Sequence, residues 1–453
     1  MIVSFWLINI GLLVLGAMFI LRSDIMSFLL YLTFLIECIL IIQKLVLVKK
    51  TKLNFSYIYI FFSWEFFLSI GFVHNGILDG DCHVENTYLT YLLVIFATFL
   101  LYYPISMCIK NRNKIKISQC LKDFKIGRIT AVIIVLIGIS TNLYGVYLGG
   151  GFLQYIFASY GAKVENEYLT TLNLLHVFTA PFAALLLPYL CGKTNMLLKS
   201  MVVFYWGFSI FIGAISGASM SILSPIMMLF FFLYLNANNK TKEKSLIRKF
   251  ALLFVIGVLS GIIIRSFRSD FSQVSDFSLT EAVEGILIGP TFDGLYNLRS
   301  LLSKVTPLYF PDQIILPLVF YLPRVVFPWK PTDLGLIVGK KFLDQSYESM
   351  AGFITTPLGD FYYDFGLVGI VIGMLFVGFV FGVLSEKINK IEKNPFHIAV
   401  FLYLSSCMAS LNSWYTGCFK SIVTALTIIF ILIVLNRFLN RFFPKTNRVD
   451  IDK

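Results

Sequence analysis

Long apolar runs separated by short polar segments are the feature that most constrains this chain. A run of roughly 17 to 25 apolar residues is long enough to cross a bilayer as a helix. Such a run forms a helix in lipid because a helix satisfies its own backbone hydrogen bonds. We predict about twelve such spans, over residues 2–21, 25–43, 55–73, 88–108, 130–148, 169–191, 201–216, 219–235, 250–264, 361–384, 396–411 and 421–435.

The composition agrees with a membrane environment. Only 14% of the 453 residues are charged, against about a quarter in ordinary globular proteins. Hydrophobic residues make up 58%, and the mean hydropathy is +0.82. The net charge of +12 does not indicate nucleic-acid binding, because most basic residues fall in short loops between apolar runs.

The distribution of lysine and arginine predicts the orientation. Alternate loops and the C-terminal tail carry 26 of the 37 basic residues, so both termini are predicted to be cytoplasmic. The first run has no preceding basic residue and no small-residue cleavage site, which favours a retained helix over a signal peptide. We therefore expect an all-α polytopic membrane protein: nine spans in 1–264, a large extracytoplasmic loop in 265–360, and three spans with a cytoplasmic tail in 361–453.

The loop at 265–360 is where function is expected, since long loops in compact proteins are usually functional or disordered and this one is too apolar for disorder. Within it, 314–331 is apolar but contains four prolines, so it is predicted to dip into the interface or a protein-lined cavity instead of spanning. An amphipathic helix lying on the membrane or on the helix bundle is also predicted. Its apolar residues are Leu295, Leu298, Leu302 and Val305, with Arg299 and Lys304 between them.

Four cations in this loop are candidates for binding an anion. Arg265 and Arg268 are three residues apart, just after a predicted span, and arginine has the planar fork of donors that suits phosphate. They could equally extend to lipid headgroups or end the helix. Arg324 and Lys330 lie in the proline-rich apolar segment, where a cation needs a ligand or a partner. Pairing with the loop's own acids or with headgroups is the alternative.

Acidic and aromatic residues precede the next span. Asp360 and Asp364 are four residues apart, a spacing that places both on one face of a helix, with Tyr363 beside them. Acids near a helix N-terminus are favoured by the backbone dipole whatever their function. The functional interpretation makes one of them a base for a sugar hydroxyl, or a hydrogen-bonding partner for sugar.

A few other residues carry weaker signals. Glu37 and Glu65 lie in apolar spans, and Glu65 is the deeper of the two. Glu65 could pair with an arginine, relay protons, or be protonated and hydrogen-bonded. The protonated, hydrogen-bonded form is the preferred interpretation. His176 is read as an interior histidine, and the seven cysteines show no metal or cofactor spacing. Cys82 and Cys418 are predicted to lie outside the cytoplasm, where a disulfide is chemically possible. Nothing in the sequence shows that the two meet, so unpaired thiols are the preferred interpretation.

Two segments carry a resemblance to a known family. FYLPRVVFPWKPTDLG, followed about twenty residues later by TTPLGDFYYDFGLVGIVIG, resembles the O-antigen and oligosaccharide repeat-unit polymerase (Wzy) family. The number of predicted spans and the long late external loop are similar too. The resemblance implies a membrane glycosyltransferase of GT-C-like fold in the bacterial plasma (inner) membrane, without metal or other cofactor.

The same resemblance implies roles for the candidate residues. Asp360, which stands where the family commonly has a glutamate, and Arg324 would be catalytic. The enzyme would join undecaprenyl-pyrophosphate-linked repeat units into a surface polysaccharide, with membrane lipids, a chain-length regulator and a flippase of the same pathway as partners. The alternatives are a lipid-linked oligosaccharide flippase or transporter, and an O-antigen ligase. Substrate or pyrophosphate binding would fall to Arg265, Arg268, Lys330, Tyr363 and Asp364.

Overall fold

The computed structural model describes residues 2–47, 64–78, 86–110, 126–148, 182–190, 195–216, 219–237, 241–242, 245–246, 248–249, 294–319, 325–332, 334, 337, 356–390, 395–408 and 419–443. All regular structure in these residues is helical, which confirms the all-α prediction for this part of the chain. The predicted span 250–264 lies outside them, as do parts of 55–73, 169–191 and 396–411. The longer helices are α1 (Ile2–Ser23), α2 (Ile25–Leu47), α3 (Phe67–Leu78), α4 (Thr87–Lys110), α5 (Arg128–Leu148), α6 (Met196–Ser216), α7 (Ser219–Asn236), α8 (Gly294–Lys304), α9 (Asp312–Val319), α10 (Thr356–Lys390), α11 (Pro395–Met408) and α12 (Lys420–Phe442).

Four of the described helices are long and apolar enough to cross a membrane. They contain the stretches Ile25–Gln43, Thr87–Cys108, Thr356–Leu384 and Ser421–Phe442. Large apolar side chains on these helices remain exposed: Phe376 is 54% and Phe430 67% accessible. A water-soluble protein seldom exposes so much contiguous apolar surface, whereas lipid solvates it readily.

The chain divides into two compact units that alternate along the sequence. Unit 1 contains α1 to α4, α8, α9 and nearly all of α10, and unit 2 contains α5 to α7 and most of α11 and α12. The ranges of unit 1 are Met1–Ile115, Leu279–Asn389 and Cys407–Ser421, and those of unit 2 are Lys116–Ser278, Lys390–Ser406 and Ile422–Lys453.

Aromatic rings fill the centre of unit 1. Phe72 of α3 packs against Phe34 of α2 and Tyr91 of α4, with ring centroids 5.3 and 4.2 Å apart. The ring centroid of Tyr31 lies 5.4 Å from that of Phe72. The Tyr31 hydroxyl donates a hydrogen bond to the Leu12 carbonyl of α1 at 2.8 Å. Such ring pairs stabilise a core beyond the area they bury, so they fix how α1 to α4 pack.

Glycines bring α10 against α4 within the same unit. A side chain on Gly378 would meet the Leu101 carbonyl, and one on Gly382 would meet the Cys108 side chain at 2.9 Å. Small residues four apart on one helix let two backbones approach closely, as is common between helices in membranes. The second half of α10 is thereby held against α4 in unit 1.

In unit 2, a glycine lets two helices approach closely, and an asparagine side chain of α12 bonds to the start of α5. Gly138 of α5 lies against the ring of Tyr205 on α6, where a side chain would collide. The Asn436 side-chain oxygen on α12 accepts hydrogen bonds from the Gly127 backbone at 2.8 Å and the Thr130 hydroxyl at 3.0 Å. These bonds satisfy amide and hydroxyl donors at the start of α5, where a helix has no internal acceptors of its own.

Candidate functional site

The loop-side end of α10 carries two buried carboxyl groups. Asp360 and Asp364 are 1% and 0% exposed. Their spacing on a helix agrees with the predicted shared face. The helix begins at Thr356 with no acid in its first turn, so its own dipole does not account for their position.

Gly366 interrupts α10 just after these residues. Its backbone angles are φ 65° and ψ −150°, outside the helical region, and an added methyl group would lie 3.3 Å from Pro307. A left-handed φ favours glycine over residues with a side chain. Near the break, the Tyr363 carbonyl accepts a hydrogen bond from the Leu308 backbone at 2.9 Å, so the kink is where the loop docks.

Asp364 caps a helix other than its own. Its two carboxyl oxygens accept hydrogen bonds from the backbone amides of Gln313 at 3.1 Å and Ile314 at 3.3 Å, in the first turn of α9. A negative charge at a helix N-terminus is favoured by the dipole, and the carboxylate supplies acceptors for two amides that lack them within the helix. The predicted role of Asp364 in binding substrate remains a prediction, but both its oxygens already accept hydrogen bonds.

Gln313 extends this connection to the segment that carries Lys330. The side chain is 1% exposed; its amide nitrogen donates to the Thr332 carbonyl at 2.9 Å, and its oxygen accepts from the Leu334 backbone at 3.1 Å. Leu334 in turn packs with Tyr363, which is 7% exposed. One glutamine therefore ties α9 to Thr332 and Leu334, just after Lys330, and Asp364 ties α9 to α10.

The proline-rich segment 314–331 begins within α9, which contains Pro317, and its later described residues, 325–331, form turns and no helix. Lys330 is half-buried, and its backbone amide donates to the Phe327 carbonyl at 3.1 Å. Val325 and Trp329 are 92% and 62% exposed, an unusual degree for such apolar side chains. Turns at this point agree with the prediction that a run interrupted by prolines does not form a continuous helix.

Arg299 is a buried cation whose setting the sequence did not reveal. We expected it on the polar side of the amphipathic helix, but it is 1% exposed, and α8 lies against α3 and α4. Its Nη1 donates to the Thr87 hydroxyl at 3.1 Å, and its guanidinium lies 5.0 Å from the Tyr296 ring centroid. The amphipathic helix was predicted correctly, and it lies on the helix bundle instead of on the membrane surface. Its buried face contains the polar residues Asn297 and Arg299 as well as leucines, so the leucine spacing alone did not identify all of the buried residues.

Several predicted site residues lie outside the described part of the chain: Arg265, Arg268 and Arg324, and also His176, Cys82 and Cys418. Of the seven predicted site residues, the structure brings Asp360, Tyr363 and Asp364 together on α10, with Lys330 on the segment linked to α9. Within the described ranges, no three His, Cys, Asp or Glu side chains cluster as they would around a metal ion.

The chemistry of this region is that of carboxyl groups beside a docked loop. A third carboxyl group belongs to Asp312, which is the first residue of α9 and lies near Asp364. Partial burial raises the pKa of Asp312. Asp360 is the buried carboxyl group whose predicted role is that of a base, and Lys330 is a cation on the attached segment.

Comparison with protein-family models, with characterised proteins and with solved structures gives no match.

Proposed function

We propose that this chain is a membrane-embedded glycosyltransferase that joins lipid-linked oligosaccharide repeat units into a surface polysaccharide of the O-antigen type. The observation that supports it best is the buried Asp360 at the loop-side start of a helix that is long and apolar enough to cross a membrane. A carboxyl group at that depth would lie near the headgroup of a lipid-linked donor. The resemblance of the segments on either side to repeat-unit polymerases supports the same activity.

The reaction we propose needs little from the protein beyond positioning and charge stabilisation. An undecaprenyl pyrophosphate is a good leaving group, so the enzyme has to hold an acceptor hydroxyl at the anomeric carbon of the donor. Asp360 would accept the proton of that hydroxyl, while Arg324 stabilises charge on the departing pyrophosphate. Arg265, Arg268 and Lys330 would bind the same phosphates, and Tyr363 would contact the glycan.

Several finer features belong to the same proposal. They are about twelve spans with a GT-C-like arrangement, both termini in the cytoplasm, and an active face outside it in the bacterial plasma (inner) membrane. A chain-length regulator and a flippase would act with it. The four candidate spans and the exposed apolar side chains of the described helices support the membrane location.

Deletion of the gene, followed by analysis of surface glycan, tests the activity. A polymerase predicts glycans of single repeat units in the deletion strain, restored to long chains by the wild-type gene. Complementation with Asp360→Asn should restore far less polymer at equal protein level, because loss of a base lowers turnover more than binding. Asp312→Asn is the matched control and should restore normal chains. Full activity of Asp360→Asn would remove the base assignment, and absence of any transferred glycan in the deletion strain would indicate a ligase.

A transporter of lipid-linked oligosaccharides is the second candidate, favoured by polar residues buried among the helices of unit 1. Asn9, Glu65, Ser69 and Asn75 are at most 4% exposed. Transporters commonly place such residues near the middle of the membrane. The same deletion strain separates the two functions, because loss of a flippase leaves repeat units accumulated inside the cell.

A further inference from the structure

The surface of α10 changes from covered to exposed at Gly366. None of residues 356–366 is exposed, whereas Leu367 and Val368, which follow directly, are 53% and 64% exposed. The apolar stretch Thr356–Leu384 has 29 residues, and a helix needs about twenty to cross the hydrocarbon core of a bilayer. Counting about twenty residues back from the end of that stretch also reaches Gly366. Both observations indicate that the loop-side boundary of the hydrocarbon core lies near this glycine.

Two short stretches of the loop expose apolar side chains to an unusual degree. In the first, residues 308–310, all three side chains are exposed and Tyr309 is 74% accessible. In the second, residues 325–329, Val325 is 92% and Trp329 62% accessible. Single exposed apolar residues are common on any protein, but contiguous ones mark contact with a membrane or with another protein.

The first stretch is held against the break in α10. The Leu308 amide donates a hydrogen bond to the Tyr363 carbonyl at 2.9 Å, three residues before Gly366. At Gly366 itself, an added side-chain carbon would lie 3.3 Å from Pro307 and 3.6 Å from the Tyr309 hydroxyl. Tyr309 therefore lies at the same depth as the first exposed residues of α10.

The second stretch reaches the same level through α9. The Gln313 side chain, in the first turn of α9, donates to the Thr332 carbonyl at 2.9 Å, and Trp329 precedes Thr332 by three residues. The Gln313 backbone amide donates to Asp364 at 3.1 Å, two residues before Gly366. A helix rises about 3 Å over two residues, and three residues of extended backbone span at most about 11 Å. Trp329 therefore lies within reach of the same boundary.

The chemistry of the two stretches fits the interface between lipid headgroups and acyl chains. Tyrosine and tryptophan concentrate at this depth, because their rings are apolar while the hydroxyl or indole N–H stays hydrated. Residues 325–329 form turns and no helix, so their backbone is excluded from the hydrocarbon core, where a segment has to pair its own polar groups. We infer that 308–310 and 325–329 lie in the headgroup interface of a phospholipid bilayer and continue the lipid-facing side of α10.

This contact involves bulk phospholipid, so it is independent of the proposed transfer reaction. It assigns the later part of the proline-rich segment to the interface, which is one of the two positions expected from sequence. Because Asp364 is bonded to the first turn of α9, the contact also holds the buried carboxyl groups of α10 close to the headgroups. It is measured on protein without substrate, so its failure is distinguishable from failure of the polymerase assignment.

Fluorescence quenching of Trp329 tests the contact in phosphatidylcholine nanodiscs. The chain has five tryptophans, so the Trp329 signal is the difference between wild-type protein and Trp329→Phe. We expect lipids brominated near the headgroup end of their chains to quench this signal more than lipids brominated at the chain ends. Aqueous iodide should quench it several-fold less than it quenches free tryptophan. Trp206→Phe is the matched control, because Trp206 is 4% exposed and its difference signal should respond little to any of these quenchers.

Tyr309→Trp in the Trp329→Phe background reports on the first stretch, and its signal should show the same depth. Three results would overturn the inference. Strong iodide quenching of either reporter would mean that the stretch faces water, and resistance to all quenchers would mean that protein covers it, either this chain or a second copy. Stronger quenching by bromine at the chain ends would place the reporter inside the hydrocarbon core. Both substitutions exchange one exposed aromatic residue for another, so the fold should be retained.

Discussion

Replacing Asp364 with alanine should release the N-terminal turn of α9 from α10. The substitution removes the acceptors of the Gln313 and Ile314 amides, at 3.1 and 3.3 Å. Leaving a buried amide without its acceptor costs roughly 1–3 kcal/mol, and the longer of these two bonds should count for less. Water can replace part of the loss, since Ile314 is only half-buried. The net cost should be about 2–3 kcal/mol.

Hydrogen exchange measured by mass spectrometry reports this cost locally. If α9 opens on its own, a loss of 2–3 kcal/mol raises the exchange rate of its protected amides roughly 30- to 150-fold, since each 1.4 kcal/mol is a factor of ten. Peptides covering 312–319 should show the acceleration in Asp364→Ala protein. Peptides covering 294–304 should exchange at the wild-type rate, because α8 does not depend on this contact.

Asp312→Asn is the matched control for this prediction. Asp312 is also an acid at the start of α9, but it influences that helix mainly through the dipole, which is typically worth about 0.3–1 kcal/mol. Its substitution should change exchange in 312–319 by less than about fivefold. Equal exchange of α9 in wild-type and Asp364→Ala protein would refute the assignment of Asp364 as its cap.

Three further substitutions test other parts of the structure. Gly366→Ala should lower stability by about 1–2 kcal/mol in thermal unfolding, because it places a side chain at φ 65° and against Pro307, and unchanged stability would contradict the kink. Thr87→Val removes an acceptor from the buried Arg299 and should cost about 1–3 kcal/mol, whereas a neutral effect would mean that this bond contributes little. Asp24 caps α2, and although burial acts to raise its pKa, hydrogen bonds from Ser27 leave that pKa below 3.8. Its stabilisation should therefore be present above about pH 4 and be lost as pH falls further. Asp24→Ala should remove about 1 kcal/mol at neutral pH and less in acid, and an equal loss at both would contradict a charged cap.

The helices were the part of the fold that could be predicted from sequence. The predicted span 88–108 corresponds to α4 at Thr87–Lys110, and 130–148 to α5 at Arg128–Leu148. Length and hydropathy suffice for these because a helix in lipid must satisfy its own backbone. The ends differ by a few residues, since helices can continue past the apolar run into the polar flanks.

The contacts that assemble the candidate site could not be predicted in the same way. The spacing of Asp360 and Asp364 predicted that both lie on one face of a helix, and the structure shows both to be buried. The partner of Asp364 lies 50 residues away in sequence, and no local pattern links the two. Arg299 shows the same difficulty, because an arginine between leucines normally reaches solvent, and only the packing of α8 against two other helices encloses it.

Reconstitution with a defined substrate tests the proposed activity most directly. Purified protein in proteoliposomes would be supplied with undecaprenyl-pyrophosphate-linked repeat units, and the products separated by length. We predict a ladder of glycans that differ by one repeat unit, formed by wild-type protein and strongly reduced by Asp360→Asn. Repeat units that stay single, or that only cross the bilayer unchanged, would contradict the polymerase assignment.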